Sequence, residues 1–425
     1  MKFGADLPLG PSRGYPPSPR GLEALERTRA FLRDTALPAG AAFRAEHGDW
    51  TFALEADGRP AAHVLAFKLR MQQLSAAAGV YTLNVPEEDG GGGLGLLDLF
   101  YVHEEVFRHG LQGQQWALAW TEGPTHLLRF LSAHARREWL PDLLAGRSNM
   151  ASAITARGGG SDVSNPVTRA RRDGEGWLLD GEKWLITGAP VVELVLVRVP
   201  VEGGPPGSLT CFVLPIDTPG VTRGPVLQTL LADGFTGSLA FAGVRLGPEH
   251  LIGDEHRGVE LLRFGRSWIR TRRAGMCSGL ARHCLDRSLA FARERQSGGR
   301  PIVEYGDVGA MLVDMYQDWV ALRAVAVDLL ARFDADAVYD AAVSNANRRD
   351  LALLKTFCED RLYAVADRAV QVHGGRGLLS EEGLEKIFRV ARNLRIAGGT
   401  RETQRAALLA TFLEDEDAAF EFGLT

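Results

Sequence analysis

The sequence predicts three consecutive domains: an N-terminal all-α domain, a middle antiparallel β-barrel domain and a C-terminal four-helix bundle. Two observations support this order. Apolar residues recur at helical spacing towards both ends of the chain, whereas the segment between them alternates short apolar runs with turn signals. We expect the domains to span residues 1–148, 149–254 and 255–425.

The bulk composition is that of an ordinary globular protein and argues against several classes of partner. The chain has 425 residues, 45% hydrophobic and 24% charged, with a formal net charge of −5. This charge argues against nucleic acid or an anionic membrane as the main partner. No run of about 20 apolar residues occurs, so we expect no membrane span. Four cysteines without a CxxC pair argue against a disulfide framework or a structural zinc site, and favour a cytoplasmic protein without a metal.

The N-terminal domain begins after a segment rich in proline and glycine. Leu22, Leu25, Phe31 and Leu32 form an apolar stripe with charged residues between them, which predicts a helix. The glycine run that ends at Gly93 predicts a loop. Helical patterning resumes over residues 100–108 and 115–131.

In the middle segment, apolar runs alternate with turn signals, a pattern typical of a β-domain. Asp180-Gly181 stands between two apolar runs and predicts a hairpin turn. Further apolar runs cover residues 192–201 and 209–215. Their spacing suits a small antiparallel barrel or sandwich.

The C-terminal segment carries two long helical stripes, which predict a bundle. A glycine pair, Gly374-Gly375, is expected to end the second helix. The first stripe consists of Val308, Leu312, Met315, Trp319, Leu322, Ala326 and Leu329, and the second of Leu354, Cys358, Leu362, Val365 and Ala369.

Three glycine-containing segments could contact a ligand. Residues 158–162 would let backbone amides approach an anionic or planar ligand, although a plain turn is the better explanation of this segment taken alone. Arg295 near Gly298 could bind a phosphate or belong to a solvated basic face. Thr400 is a good helix N-cap, and the free amides at such a terminus favour phosphate.

Taken in order, the motifs resemble those of the acyl-CoA dehydrogenase family over about residues 22–413. The matching stretches in this sequence are Asn84-Val85-Pro86-Glu87-Glu88, Ile154-Thr155 with Gly160-Ser161-Asp162, Gly181-Glu182-Lys183 with Ile186-Thr187, Gln371-Val372-His373-Gly374-Gly375-Arg376-Gly377, Arg389-Val390-Ala391-Arg392 and Gly399-Thr400-Arg401-Glu402-Thr403-Gln404.

The resemblance implies FAD held across a subunit interface of a homodimer or homotetramer. It also implies a thioester substrate on CoA or an acyl carrier protein, and an electron acceptor such as an electron-transfer flavoprotein. By position in the motifs, the cofactor-binding residues would be Thr155 and Thr187 at the flavin ring, Arg295 at the pyrophosphate, Ser161 near the pyrophosphate or the pantetheine arm of the substrate, Gln371, Gly374 and Gly375 from the neighbouring subunit, and Thr400 and Glu402 completing the site.

The sequence departs from the family pattern at the catalytic base. The glutamate expected immediately before Gly399-Thr400 is Gly398, and at the alternative position the residue before Arg270 is Ile269. A general base contributes about 10²–10⁴-fold to rate, so its loss puts dehydrogenation in doubt. Glu122, on a segment expected to be helical beside the acyl pocket, is a candidate replacement.

The sequence therefore leaves three hypotheses open. The first is α,β-dehydrogenation of an acyl thioester with a relocated base. The second is a flavin enzyme of other chemistry, an oxidase or monooxygenase, in which reduced flavin reacts with O₂ and no glutamate is needed. The third is a non-catalytic subunit of a hetero-oligomer.

Overall fold

The computed structural model describes residues 14–119, 123–161, 167–333 and 345–413. It confirms the predicted order of a helical domain, a β-domain and a second helical domain. The helices are α1 Pro19–Phe31, α2 Leu37–His47, α3 Ala62–Ala77, α4 Leu96–Phe107, α5 Ala133–Glu138, α6 Leu140–Leu144, α7 Gly258–Glu294, α8 Gly306–Arg332, α9 Asn345–His373, α10 Leu384–Leu394 and α11 Arg401–Phe412.

The β-domain consists of two four-stranded sheets. One has the order β1-β4-β5-β8 and the other β2-β3-β7-β6, and a two-stranded ribbon, β9-β10, lies after α7. The strands are β1 Met150–Ala153, β2 Arg169–Asp173, β3 Gly176–Thr187, β4 Leu194–Val199, β5 Thr210–Pro215, β6 Val221–Arg223, β7 Thr236–Leu246, β8 Leu251–Ile252, β9 Gln296–Ser297 and β10 Arg300–Pro301.

The two large sheets enclose a separate apolar core, but they are not closed into one barrel in the described part of the chain. Trp177, Val197, Phe212 and Phe241 are buried between them. The sheets are also not purely antiparallel, because β1 pairs with β4 in parallel. The predicted barrel is therefore closer to a two-sheet sandwich.

The hairpin predicted at Asp180-Gly181 is wrong. Strand β3 runs straight through these residues, and the turn lies earlier, between Asp173 of β2 and Gly176 of β3. Gly174 supplies the positive φ of that turn, +63°. Gly181 instead lies at a register shift between β3 and β7, where a Cβ would stand 2.6 Å from Thr168 Cα. Gly181 is thus required because another backbone segment passes close to it. A glycine needed for such a close approach gives the same Asp-Gly signal in the sequence as a glycine in a turn.

The helix predicted over residues 115–131 is also not formed. Two short 3₁₀ turns, Gln114–Ala117 and His126–Phe130, occupy the described parts of this segment. Thr125 caps the second turn by accepting a hydrogen bond from the Leu127 amide. Residues 120–122, and with them the candidate base Glu122, lie outside the described residues.

One apolar core joins the two helical domains. It includes Phe100 and Phe107 of α4 and Cys277 and Leu285 of α7, and it continues into α8 and α9. The long helix α7 therefore packs on the N-terminal domain as well as on its own bundle. This shared core places residues of α7 beside loops of the first two domains, where the candidate site lies.

No helix among the described residues is long and apolar enough to cross a membrane.

Candidate active site

A cavity of about 250 Å³ lies where the three domains meet. Its wall is largely apolar, with aromatic side chains from the N-terminal and β-domains. The lining residues that carry the argument below are Thr187 at the end of β3, Asp233 in the loop before β7, Arg273 and Met276 on α7, and Ala397 before α11.

Thr187 and Thr155 lie on adjacent backbone segments. The Trp184 amide donates a hydrogen bond to the Thr155 carbonyl at 2.8 Å. The Lys183 ammonium, which is buried, donates to the carbonyls of Ile154 and Arg198, each at 2.9 Å. Lys183 thereby ties the segment after β1, which leads into Thr155, to strands β3 and β4.

A bulge in β3 separates Lys183 from Thr187. Leu185 has a φ of +55°, which is strained for a side-chain-bearing residue, and its side chain is exposed. Trp184 is half-buried, its indole Nε1 has no hydrogen-bond partner, and the Arg157 guanidinium lies 5.2 Å from its ring. The bulge therefore leaves the leucine side chain exposed beside the half-buried Trp184.

The turn before α11 forms the opposite wall. Gly398 and Gly399 have φ values of +75° and +97°, and Thr400 caps the helix by accepting a hydrogen bond from the Thr403 amide at 3.2 Å. The φ of Gly399 is strained for any residue with a side chain, and a Cβ there would also stand 2.6 Å from Gln404 Nε2, so that this amide group would have to move. Gln404 is buried, and its Oε1 has no hydrogen-bond partner.

Neither expected base position carries a carboxylate, and an arginine lies beside one of them. A Cβ on Gly398 would stand 3.1 Å from Arg273 Nη1, and this nitrogen donates to the Ala397 carbonyl at 2.6 Å. Among the described lining residues, Asp233 is the one carboxylate. Its Oδ1 accepts a hydrogen bond from the Phe235 amide at 3.2 Å.

Behind Arg273 lies a buried ionic network. Arg273 Nη1 is 3.4 Å from Glu359 Oε1, while the Lys355 ammonium is 2.6 Å from Glu359 Oε2 and also donates to the Leu394 carbonyl. Burial raises the pKa of Glu359 despite these cations, and it lowers the pKa of Lys355. Two cations thus share one carboxylate in this network.

Three further cations line the same cavity: Arg389, which begins one of the family-matching stretches, and Lys68 and Lys386, to which no sequence pattern assigned a role. The Lys386 ammonium is 3.1 Å from Asp49 Oδ1 and makes a cation–π contact with Trp50, 3.6 Å from the ring centroid. Burial lowers the pKa of Lys386 to about 8. Lys68 donates to Asn149 Oδ1 at 3.2 Å. Arg389 contacts Glu385 and loop carbonyls.

The remaining predicted cofactor residues are not among the described residues that line this cavity. Arg295 follows the end of α7 and is exposed, beside the ribbon that carries Gly298. Ser161 is exposed next to the undescribed residues 162–166. Glu402 is exposed on the first turn of α11. Gln371, Gly374 and Gly375 are exposed at the end of α9, and the role predicted for them belongs to a neighbouring subunit.

Three family models match consecutive parts of the chain. They describe the N-terminal, middle and C-terminal domains of acyl-CoA dehydrogenase and match residues 24–147, 151–244 and 256–413. The chain belongs to the acyl-CoA dehydrogenase family. This family is FAD-dependent, which agrees with the predicted cofactor.

Similar proteins cover most of the chain. Acyl-CoA dehydrogenase FadE12 of Mycobacterium tuberculosis is 29% identical over 76% of this chain and 82% of that protein. The mitochondrial short-chain specific acyl-CoA dehydrogenase of Rattus norvegicus is 27% identical over 79% of this chain and 80% of that protein. The FAD complex of PigA has the same fold, with a TM-score of 0.78 at 21% identity over 94% of this chain and 98% of that one.

Proposed function

We propose that the protein is a FAD-dependent oxidoreductase of acyl-CoA dehydrogenase type that oxidises an acyl thioester between its α- and β-carbons. One observation carries the proposal: Thr187, predicted at the flavin edge, and Ala397, adjacent to the family's base position, line the same cavity. A substrate carbon in this cavity would lie between a flavin ring and the turn before α11. The flavin, when bound, supplies the hydride acceptor.

The residues at this cavity suit a flavin. Thr187 lines the cavity with an exposed hydroxyl-bearing side chain, and the aromatic side chains Trp50, Trp116 and Phe235 give the cavity walls that suit a planar ring. We assign FAD contacts to Thr155, Thr187, Thr400 and Glu402, with Ser161 and Arg295 towards the pyrophosphate. Gln371, Gly374 and Gly375 would contribute from a second copy of the chain, in a homodimer or homotetramer.

Dehydrogenation also requires an acceptor for the α-proton. Asp233 lines the described cavity and Glu122 lies in its neighbourhood by sequence, so these two carboxylates are the candidates. Replacing the true base by its amide should lower the rate of flavin reduction by about 10²–10⁴-fold. The comparison of Asp233→Asn with Glu122→Gln under single-turnover conditions identifies it, and equal full activity of both variants would exclude both.

A second candidate function is flavin-dependent reaction with O₂ as an oxidase or monooxygenase. The observation that favours it is the arginine beside Gly398, where the family base would stand. A non-catalytic subunit of a hetero-oligomer is the third reading.

The visible spectrum of the purified protein, followed by anaerobic titration with acyl-CoAs of graded length, separates the three. Flavin absorbance that one chain length bleaches supports dehydrogenation. Bound flavin that no thioester bleaches, and that reoxidises rapidly in air after chemical reduction, supports the second function. A colourless protein that FAD cannot reconstitute supports the non-catalytic subunit.

A further inference from the structure

The cavity has an unusual charge for a site that accepts an acyl chain. Its described lining residues include four cations, Lys68, Arg273, Lys386 and Arg389, and one carboxylate, Asp233. Arg273 is the cation nearest the turn before α11, and its side chain is nine-tenths buried.

Arg273 is incompletely satisfied by the protein. Its Nη1 donates to the Ala397 carbonyl, and its carboxylate contact, to Glu359, is long at 3.4 Å because Glu359 makes its short contact with Lys355. Its Nε is buried and has no hydrogen-bond partner. Because Arg273 and Lys355 share the single carboxylate of Glu359, one positive charge in this network has no counter-charge, and an anionic ligand in the cavity would balance it.

Arg273 also places a positive charge at this turn, where the family resemblance implies the negative charge of a glutamate. A side chain at residue 398 would meet the guanidinium, so Gly398 and Arg273 fit each other. A guanidinium matches a carboxylate by paired, charge-assisted hydrogen bonds. The flavin ring of the proposed function would share this cavity of about 250 Å³, so the space left for the substrate suits a short acyl group.

We propose that the substrate is a short acyl thioester bearing a carboxylate, and that Arg273 binds that carboxylate. The proposal rests on the proposed function, since it specifies the substrate class of the same site. Arg273 is then a specificity-determining residue. Lys386 and Arg389 are paired with Asp49 and Glu385, so the positive charge that would favour an anion is the one left over where Arg273 and Lys355 share Glu359.

The test uses the full-length, FAD-loaded protein under anaerobic conditions. Malonyl, succinyl and glutaryl thioesters of CoA, and of pantetheine alone, are compared with their monoamides, which have the same size without the charge. The dissociation constant is read from the change in the flavin spectrum, which does not require turnover. We expect the best acid to bind about 10- to 100-fold more tightly than its amide, the factor that a charge-assisted hydrogen bond supplies.

Two variants test whether Arg273 causes the preference for the acid. Arg273→Met should abolish the preference for the acid and leave amide binding within about threefold, whereas Arg273→Lys should retain part of it. A wild-type protein that binds amides or unsubstituted acyl thioesters as tightly as acids would overturn the inference and leave the proposed function intact. A preference that persists in Arg273→Met would also overturn it. Bound flavin that responds to no thioester at all would overturn both.

Discussion

Lys183 shows how a single buried charge can organise the flavin side of the site. Its ammonium bridges the carbonyls of Ile154 and Arg198, and burial, with a smaller contribution from the Arg198 charge, lowers its pKa to about 8. The lysine remains mostly protonated at pH 7 and donates to both carbonyls. Because Thr155 follows Ile154 directly, the position of this predicted flavin contact depends on Lys183.

We therefore expect Lys183→Met to weaken FAD binding. The substitution keeps the side-chain length but leaves two carbonyl oxygens without their donor, which releases the Thr155 segment. The FAD dissociation constant, measured by flavin fluorescence at pH 7, should rise by about 10-fold or more, or about 1.4 kcal/mol. Arg171→Met, on the exposed face of β2, is the matched control. An unchanged dissociation constant in a folded Lys183→Met protein would show that Lys183 does not position this segment.

The contact between Arg273 and Gly398 could not be predicted from the sequence, although the residues themselves are visible there. The absence of glutamate at Gly398 and Ile269 is visible in the sequence, and so is the run Arg270-Thr271-Arg272-Arg273 in an otherwise buried helix. That Arg273 lies beside Gly398 depends on the packing of α7 against the turn before α11, 125 positions later in the chain than the arginine. No local pattern encodes this contact.

At the scale of elements, the crossing of α4 and α7 depends on two glycines. A Cβ on Gly275 would stand 2.6 Å from the Phe100 carbonyl oxygen, and one on Gly279 would stand 2.5 Å from that of Glu104. These glycines are four residues apart and lie on one face of α7. They allow the two backbones to approach closely, as small residues do at tight helix crossings.

Gly275→Ala and Gly279→Ala should each destabilise the protein by about 1–3 kcal/mol, because the methyl group must displace backbone rather than a flexible side chain. Chemical denaturation of the FAD-loaded protein measures this loss. Gly306→Ala is the control, since this glycine begins α8 with nothing within 4 Å of its Cβ position. The control should be neutral or slightly stabilising. Equal stability of all three variants would refute the close crossing.

The errors in predicted elements have a common cause. Gly181 in β3 and the segment 115–131 both carry local signals, a turn dipeptide and helical patterning, that tertiary contacts override. By contrast, α8 and the second stripe in α9 form as predicted because their apolar stripes extend over several turns. Long periodic segments were predictable, whereas single glycines were ambiguous between a turn and a close approach.

At the scale of the whole molecule, the order of the domains could be predicted from the sequence, but the way they pack against one another could not. Periodicity assigns each segment to a class, but it does not show that α7 completes the core of the N-terminal domain. The same holds for the two sheets, whose pairing joins strands distant in sequence, such as β1 with β4. The shared helical core means that the first and third domains should unfold together.

His103 lies within this shared core and should make it sensitive to acid. It is on α4, it is 2% exposed, and it lies beside Arg272 of α7. Burial, and then the charge of Arg272, lowers the pKa of His103 to about 3, from 6.5 in an unfolded chain. The neutral ring is thus the folded form, and its contribution to stability is complete above pH 6.5.

As the pH falls from 6.5 towards 3, the unfolded state binds a proton that the folded state does not, so the free energy of unfolding decreases. At pH 4 the loss from this one group should be about 3 kcal/mol, since each unit of pKa difference is worth about 1.4 kcal/mol. Denaturation at pH 7 and pH 4 should show a smaller difference for His103→Gln, which has no group to titrate, than for the wild type. The exposed His134→Gln variant serves as the control and should follow the wild type.

Because His103 lies where the N-terminal domain meets α7, intrinsic tryptophan fluorescence and far-ultraviolet circular dichroism should report the acid transition at the same pH. A wild-type protein whose stability at pH 4 equals that at pH 7, or a His103→Gln protein with the wild-type pH dependence, would rule out this role for the histidine.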